Sequence, residues 1–527
     1  MNYLRTYLPF LVGLLSGLYF ISLTLTGTHL EYFPGDLIDA RFNNYVLEHG
    51  YLFFTQQTPE YWNAPFMYPE ADVISYSDNL LGTVPFYALF RALGADREGA
   101  FQYWFLLITI FNFSACFFFL NSLLKNAYAA TLGAFVFTFS LALQSQMGHA
   151  QTFPRFAIPL TVWMLLLYTK ELQPRYFMLA LLAWVYQMYC GIYLGLILLV
   201  LMLLMLIIHV ALQYRRYPAM IRQKKWWFGM VPPLILSLLL LLPLLLPYLE
   251  RAKQLGYYPY ASIHHSLPTL ASYFFSWNGS LCWDVFRETC IDYPAFWDHE
   301  IFTGGLATLG AVLTLVLALW RWWRGKNNND PGFTHKLRIL TFGGVLLFLV
   351  FMRFGDFSLY KFLYHVPGYG SMRALQRIVN IELLFFGIAL AHLFSLGTKN
   401  TKPIFSALLF IFLLCLLCAD NYVHEGMSHR RSKAESQERI QALVVKMKNL
   451  PKNTVVSYEP LELLSSAMDY QLDAMLAAQS LGLTTLNGYS ATSPGGYGDY
   501  WVNPCDSTRM IWLERKNANS LVPVIIH

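Results

Sequence analysis

Eleven apolar runs divide this chain, and nothing else in the sequence limits its fold as much. They cover roughly residues 7–26, 101–123, 127–146, 153–169, 176–190, 191–213, 228–249, 303–323, 339–353, 376–396 and 403–420, with 176–213 readable as one long helix or as two. Crossing a bilayer takes about 20 apolar residues. Charged residues make up 13% of the 527 and hydrophobic residues 56%, whereas a soluble domain carries about 25% charged. The pattern predicts an all-α polytopic membrane protein with about 11 transmembrane helices. The first run is long, has no clear small-residue cleavage site and precedes many further spans, so it reads as a span and not as a signal peptide. A net charge of +6 is small for this length; with no nucleic-acid motif present, that class of partner is set aside. The seven cysteines show no metal-type spacing.

Basic residues orient the spans, because short cytoplasmic loops are enriched in Lys and Arg. With Arg5 inside, alternation places Lys125, "KELQPR" (170–175), "RRYPAMIRQKK" (215–225), the basic stretch 321–338 and "KNTK" (399–402) on that same side. Dropping any one span would scatter these clusters over both faces. The outward segments are then 27–100, 250–302, 354–375 and the tail. This divides the chain into a transmembrane module, 1–420, and a small external α/β domain, 421–527. The spans are largely free of charge, while the acids gather in the outer loops. A transporter or channel instead places ionisable groups inside its spans, near the midplane. The expected site is therefore the outer membrane–water boundary, where a lipid-borne substrate meets a water-borne one.

The first outer loop holds "PGDLIDARFNN" (34–44) and then "YWNAPFMYPEADVISYSDNLLG" (61–82). Asp36 and Asp39 share a face if a helix runs over 36–48, since residues three apart are neighbours. A carboxylate partly buried beside the bilayer gains proton affinity, which suits a general base. Asp is equally a favoured helix N-cap, and spacing alone leaves both open. His149, in a short outer turn between Gln146 and Gln151, is a partner for a donor or a catalytic acid, or else a local hydrogen-bond partner; His49 carries the same two readings. Glu70 and Asp78 either line an acceptor side or form turns. Glu300, at a span entrance, is a candidate active-site acid on a loop that folds over the cavity. Cys282 and Cys290 in that loop face an oxidising exterior and form a candidate disulfide. His264, His265 and Asp298-His299-Glu300 match no known metal spacing, so no metal site is assigned. Tyr489 and Tyr497, in "NGYSATSPGGY" (487–497), belong to an irregular loop that either reaches the cavity mouth or caps the fold.

"GDLIDARFNNYVLEHG" (35–50), the 61–82 stretch, "GHAQTFPRFAIPL" (148–160), "HVPGYGSMRALQRIVNIELLFFGIALA" (365–391) and the 487–497 motif follow one another over most of the chain. Together they resemble bacterial integral-membrane glycosyltransferases of the GT-C superfamily. The resemblance implies many transmembrane helices and a large first outer loop carrying the key acid. It also implies inverting transfer of a sugar from a polyprenyl-phosphate carrier to an extracytoplasmic glycolipid, polysaccharide or protein. The acid after the first span acts as base in such enzymes, or helps hold a metal in some families. That acid is Asp36 here, with Asp39 the second candidate. The loop has no DxD, so a divalent metal is not favoured and no cofactor is assigned. The implied location is the bacterial cytoplasmic membrane, N-terminus inside and tail outside.

Reaction chemistry asks for the same residue types. Glycosyl transfer passes through an oxocarbenium-like transition state. A carboxylate takes the acceptor proton, and cations stabilise the leaving phosphate. Arginine matches phosphate with forked donors. Arg373 and Arg377, four apart where the chain enters the span at 376, are the first candidates; Arg155 and Arg353 also fall at that boundary. Interfacial snorkelling is the competing account of all four. Two other classes stand beside the enzyme: a non-catalytic GT-C-like protein that binds or translocates a lipid-linked glycan, and an unrelated transporter. A transporter predicts charged spans and two related halves, and the sequence shows neither.

Overall fold

Each of the eleven apolar runs coincides with a helix in the computed structural model, which describes residues 2–215, 222–324, 331–462 and 466–527. In chain order the helices are α1 (Thr6–Thr26, with a π-turn at Leu18–Ser22), α2 (Asp39–Phe54) and α3 (Val84–Ala92) of the first long loop, then α4 (Arg97–Leu124), α5 (Ala127–Phe139), α6 (Ala157–Glu171), α7 (Pro174–Cys190), α8 (Ile192–Leu212), α9 (Lys224–Leu255), α10 (Gly305–Trp323), α11 (Pro331–Val350), α12 (Val379–Gly397) and α13 (Pro403–Asn421). Seven helices among the described residues are long and apolar enough to cross a membrane. α6, α7, α10 and α11 coincide with the other four runs and are not among these seven. The 176–213 run is two helices, broken at Gly191. Of the basic stretches 215–225 and 321–338, residues 216–221 and 325–330 lie outside the described residues.

Local chemistry sets the helix ends. The Asp96 carboxylate accepts the Gly99 N–H at 2.6 Å where α4 begins, and Asn126 accepts the Ala129 N–H at 3.1 Å where α5 begins; short polar side chains are favoured there because they satisfy orphan donors. Prolines 174 and 403 open α7 and α13, where a missing N–H costs nothing. α5 and α12 cross at Gly133 and Gly387. A Cβ on Gly387 would sit 2.4 Å from the Gly133 carbonyl oxygen, so only a small residue permits this approach.

All the long connecting segments meet at one end of the bundle. There β1 (Tyr32–Pro34) pairs antiparallel with β2 (Arg430–Ser432) of the tail. The tail continues through α14 (Lys433–Met447), β3 (Val455–Tyr458), α15 (Ala467–Leu481), β4 (Thr484–Thr485), α16 (Asp506–Arg515) and β5 (Val524–Ile526), with β3 central and parallel to β4 and β5. It is fastened to the first loop: Arg41 faces Asp473 at 2.7 Å, Gln479 donates to the Tyr45 carbonyl, and the Trp512 indole donates to the Tyr68 carbonyl.

The expected disulfide does not form. Cys282 and Cys290 are both free thiols held in different surroundings. Cys282 is exposed and points to the Ala419 carbonyl at the end of α13, at 3.5 Å. Cys290 is buried beside Ser272.

Candidate active site

Gly35 places the first carboxylate. Its φ of +100° favours glycine, and a Cβ there would lie 2.4 Å from the Met147 carbonyl oxygen. The loop therefore lies directly on the turn that leads to His149. Asp36 follows, and its Oδ1 accepts the N–H groups of Ile38 at 3.1 Å and Ala40 at 3.0 Å. This is the cap of α2, which starts only at Asp39. The helix expected over 36–48 thus begins three residues late, and the two acids are gathered by a capping turn rather than by a shared helix face. The cap uses one oxygen. Oδ2 faces Gly148 and His429 and takes no hydrogen bond among the described residues.

Asp39 is more heavily engaged. Its Oδ2 lies 3.2 Å from His149 Nδ1, and its Oδ1 accepts the Tyr489 hydroxyl at 2.5 Å. Burial pushes the Asp39 carboxyl up. The His149 contact, the Tyr489 hydrogen bond and the charge of Arg377 outweigh that and hold it below its ordinary value. Tyr489 lies in the fields of Asp39, Asp36 and Arg373 together, so a tail residue sits at the centre of the cluster.

The cations come from the entrance to α12. Arg377 is 8% exposed and packs over the Tyr193 ring at 4.5 Å. Among the described residues it makes no ion pair, and its Nε has no hydrogen-bond partner. Its charge is felt by Asp39, Asp78 and Asp298. Arg373 is exposed, lies 5.8 Å from the Tyr258 ring and likewise has no ion pair among the described residues. Arg373 precedes the 3₁₀ turn Leu375–Ile378, so the expected shared helix face is absent. Gln376, between them, donates to Asp298 at 2.7 Å. Burial raises the Asp298 carboxyl against the opposing charges of Arg377, Arg373 and His149.

Other sequence candidates sit elsewhere. His49 is buried with Nε2 against the Tyr61 carbonyl at 2.8 Å, and burial lowers its pKa to about 4, so it is a neutral local partner. Glu70 is held by Arg251 at 3.0 Å, by Lys516 and by the Tyr76 hydroxyl, which occupies its oxygens. Asp78 accepts the Ile192 N–H at 2.7 Å and caps α8; burial raises its carboxyl. Arg353 lies in a small hairpin, 5.9 Å from the Tyr293 ring and beside His264 and His299, apart from the acid pair. Arg155 is 3% exposed within the bundle and donates to Asn380 at 3.2 Å. Glu300 belongs to the loop over the cluster, its carbonyl accepting the Ser145 hydroxyl at 2.8 Å. Burial alone lifts its carboxyl to about 7. Tyr497 is buried within the tail and donates to the Leu486 carbonyl, so of the two tail tyrosines only Tyr489 reaches the acids. The sequence reading missed His429, which donates to the Gln144 carbonyl at 3.2 Å, stacks on Trp277 and is brought to Asp36 by the β1–β2 pairing. No local motif marks it. Among the described residues no three His, Cys, Asp or Glu side chains converge to hold a metal.

No family model and no curated protein matches this chain. Among solved structures, its fold is similar to that of the Archaeoglobus fulgidus oligosaccharyltransferase in the apo form, with TM-score 0.52 and 11% identity over 92% of this chain and 65% of that one. The same oligosaccharyltransferase tethered to an acceptor peptide matches at TM-score 0.48 and 10% identity, over 93% and 65% of the two chains. The chain spans about 65% of the length of the structures it matches. The likeness to the apo structure is one of fold, and with seven described helices long and apolar enough to cross a membrane it marks a multi-pass membrane architecture.

Proposed function

We propose that this chain is a GT-C glycosyltransferase that moves a sugar from a polyprenyl-phosphate donor to an acceptor hydroxyl or amide outside the cytoplasm, with inversion. One observation carries it: Arg373 and Arg377, one of them buried and neither in an ion pair among the described residues, act on the cluster of Asp39, Tyr489 and Asp298, next to Asp36, whose Oδ2 takes no hydrogen bond there. An unpaired buried cation is costly, and a bound anion removes the cost. Arg373 and Arg377 take the leaving phosphate, where forked donors hold its developing charge. Asp36, pinned through Oδ1 by two backbone N–H groups, uses Oδ2 to accept the proton as the acceptor oxygen or nitrogen bonds to the anomeric carbon and the carbon–phosphate-oxygen bond breaks. Asp39, fixed by His149 and Tyr489, orients the acceptor side. The GT-C-like scaffold, shared with an oligosaccharyltransferase, agrees with this chemistry.

The same proposal sets the site on the extracytoplasmic face of a bacterial cytoplasmic membrane, with eleven spans, residues 1–420 as the membrane module and 421–527 as the external cap. Sugar transfer from a polyprenyl-phosphate donor, measured with the purified protein and with Asp36→Asn, tests the enzyme. Donor binding without turnover over a broad acceptor panel would leave a non-catalytic glycan-binding protein. Full activity in Asp36→Asn would move the base elsewhere while keeping the enzyme class.

A further inference from the structure

Arg155 is the one candidate phosphate arginine sealed inside the bundle, and its surroundings define a second anion site. It lines a cavity of about 30 Å³ enclosed by α1, α4, the end of α5, residues 140–147 and the first turn of α12. The walls are polar for a membrane interior, with Ser22, Thr109, Asn112, Thr138 and Gln144 among them. The Arg155 backbone N–H is fixed by Asn112 at 2.9 Å, one guanidinium nitrogen donates to Asn380, and the guanidinium lies 5.2 Å from the Phe137 ring. Its Nε and the Thr138 hydroxyl are buried and have no partner among the described residues. No carboxylate lines the cavity, and among the described residues none pairs with Arg155.

A guanidinium keeps its charge in a protein, and an unpaired charge in a membrane interior marks a functional site. Asn380 supplies only a dipole. Arg155 also precedes the N-terminus of α6, and Asn380 lies in the first turn of α12, so two helix dipoles add positive potential against the single C-terminal end of α5. A cavity of about 30 Å³ holds a small guest, since one water needs about 10–15 Å³ of such space. Two unpartnered donors suit one monatomic anion rather than a phosphoryl group, whose several oxygens would each need a partner. We infer that this cavity is a halide site, in which Arg155 Nε and the Thr138 hydroxyl donate to one monatomic anion of chloride size. Gln146 and Met147 line it as well, so the ion supports the turn that presents His149. The inference stands apart from the proposed sugar transfer.

The test uses the full chain in detergent. Its melting temperature should be several degrees higher in sodium chloride or bromide than in sodium gluconate of equal ionic strength, with saturating dependence. Crystals grown in bromide should show an anomalous peak within hydrogen-bond reach of Arg155. Arg155→Met should lose the halide dependence. If that variant does not accumulate, Thr138→Val should raise the half-saturating bromide concentration several-fold. Equal melting in gluconate and bromide with no anomalous peak overturns the site, and so does equal stabilisation by inorganic phosphate acting through Arg155.

Discussion

The two parts of the first long loop handle charge in opposite ways. From Glu48 to Glu98 four acids are matched: Glu48 with Arg91 at 2.8 Å, Glu70 with Arg251 and Lys516, Asp96 with Lys433 at 3.1 Å, and Glu98 with Arg97 at 3.0 Å, while Glu60, Asp72 and Asp78 form no ion pair among the described residues. At Asp36 and Asp39 the arrangement is different. One oxygen of Asp36 is free, and the nearby Arg373 and Arg377 have no ion partner among the described residues. A matched pair repays burial by mutual attraction; an unmatched set stays costly until a ligand arrives. The first pattern holds the loop in place, and in the proposed function the second leaves charge for chemistry.

The largest break of this contrast is Asp36→Asn. It keeps much of the cap but removes the proposed base, and it should lower kcat by about 10²–10⁴, read as sugar transfer by purified protein with an unchanged melting curve. Glu70→Ala should do the converse. Arg251 and Glu70 are 7% and 8% exposed, so removing the acid strands a buried cation at a cost of about 3–5 kcal/mol. The melting temperature should fall, while surviving protein keeps its kcat. Arg377→Gln comes next, with transfer slowed about 10²-fold and little loss of stability, because it removes an unpaired charge. If Arg377→Gln instead unfolds the protein as Glu70→Ala does, the division into matched and unmatched halves is wrong.

Much of the scaffold is legible in the sequence because a lipid-facing helix must be apolar along its length, and that run needs no partner to be recognised. The candidate site is legible only where a residue type is unusual for its place, as with Asp36, Asp39, His149, Arg373 and Arg377, which the proposed function gathers. What one sequence hides is pairing at long range. Nothing local says that Glu70 is taken by Arg251 and Lys516, or that Tyr489 of the tail closes on Asp39. Arg155 shows the same limit from the other side. It lies in the "GHAQTFPRF" stretch beside His149, but the chain turns it into the bundle and away from the rim.

Glu300 offers the smallest and sharpest probe of the unmatched half. Burial lifts its carboxyl to about 7, while an unfolded Glu titrates near about 4.3. Between these values the folded protein keeps a proton that the unfolded chain has released. Stability from this group is therefore full below the unfolded value, falls as pH rises through the window and levels off above about 7. Glu300→Gln is neutral at every pH and should flatten that fall, making the variant the more stable form at a pH of about 8. Melting curves recorded from about pH 5 to 8 decide it. Parallel pH profiles for the two proteins would mean that Glu300 has a cationic partner and belongs with the matched acids of the first loop, not with the open charge around Asp36.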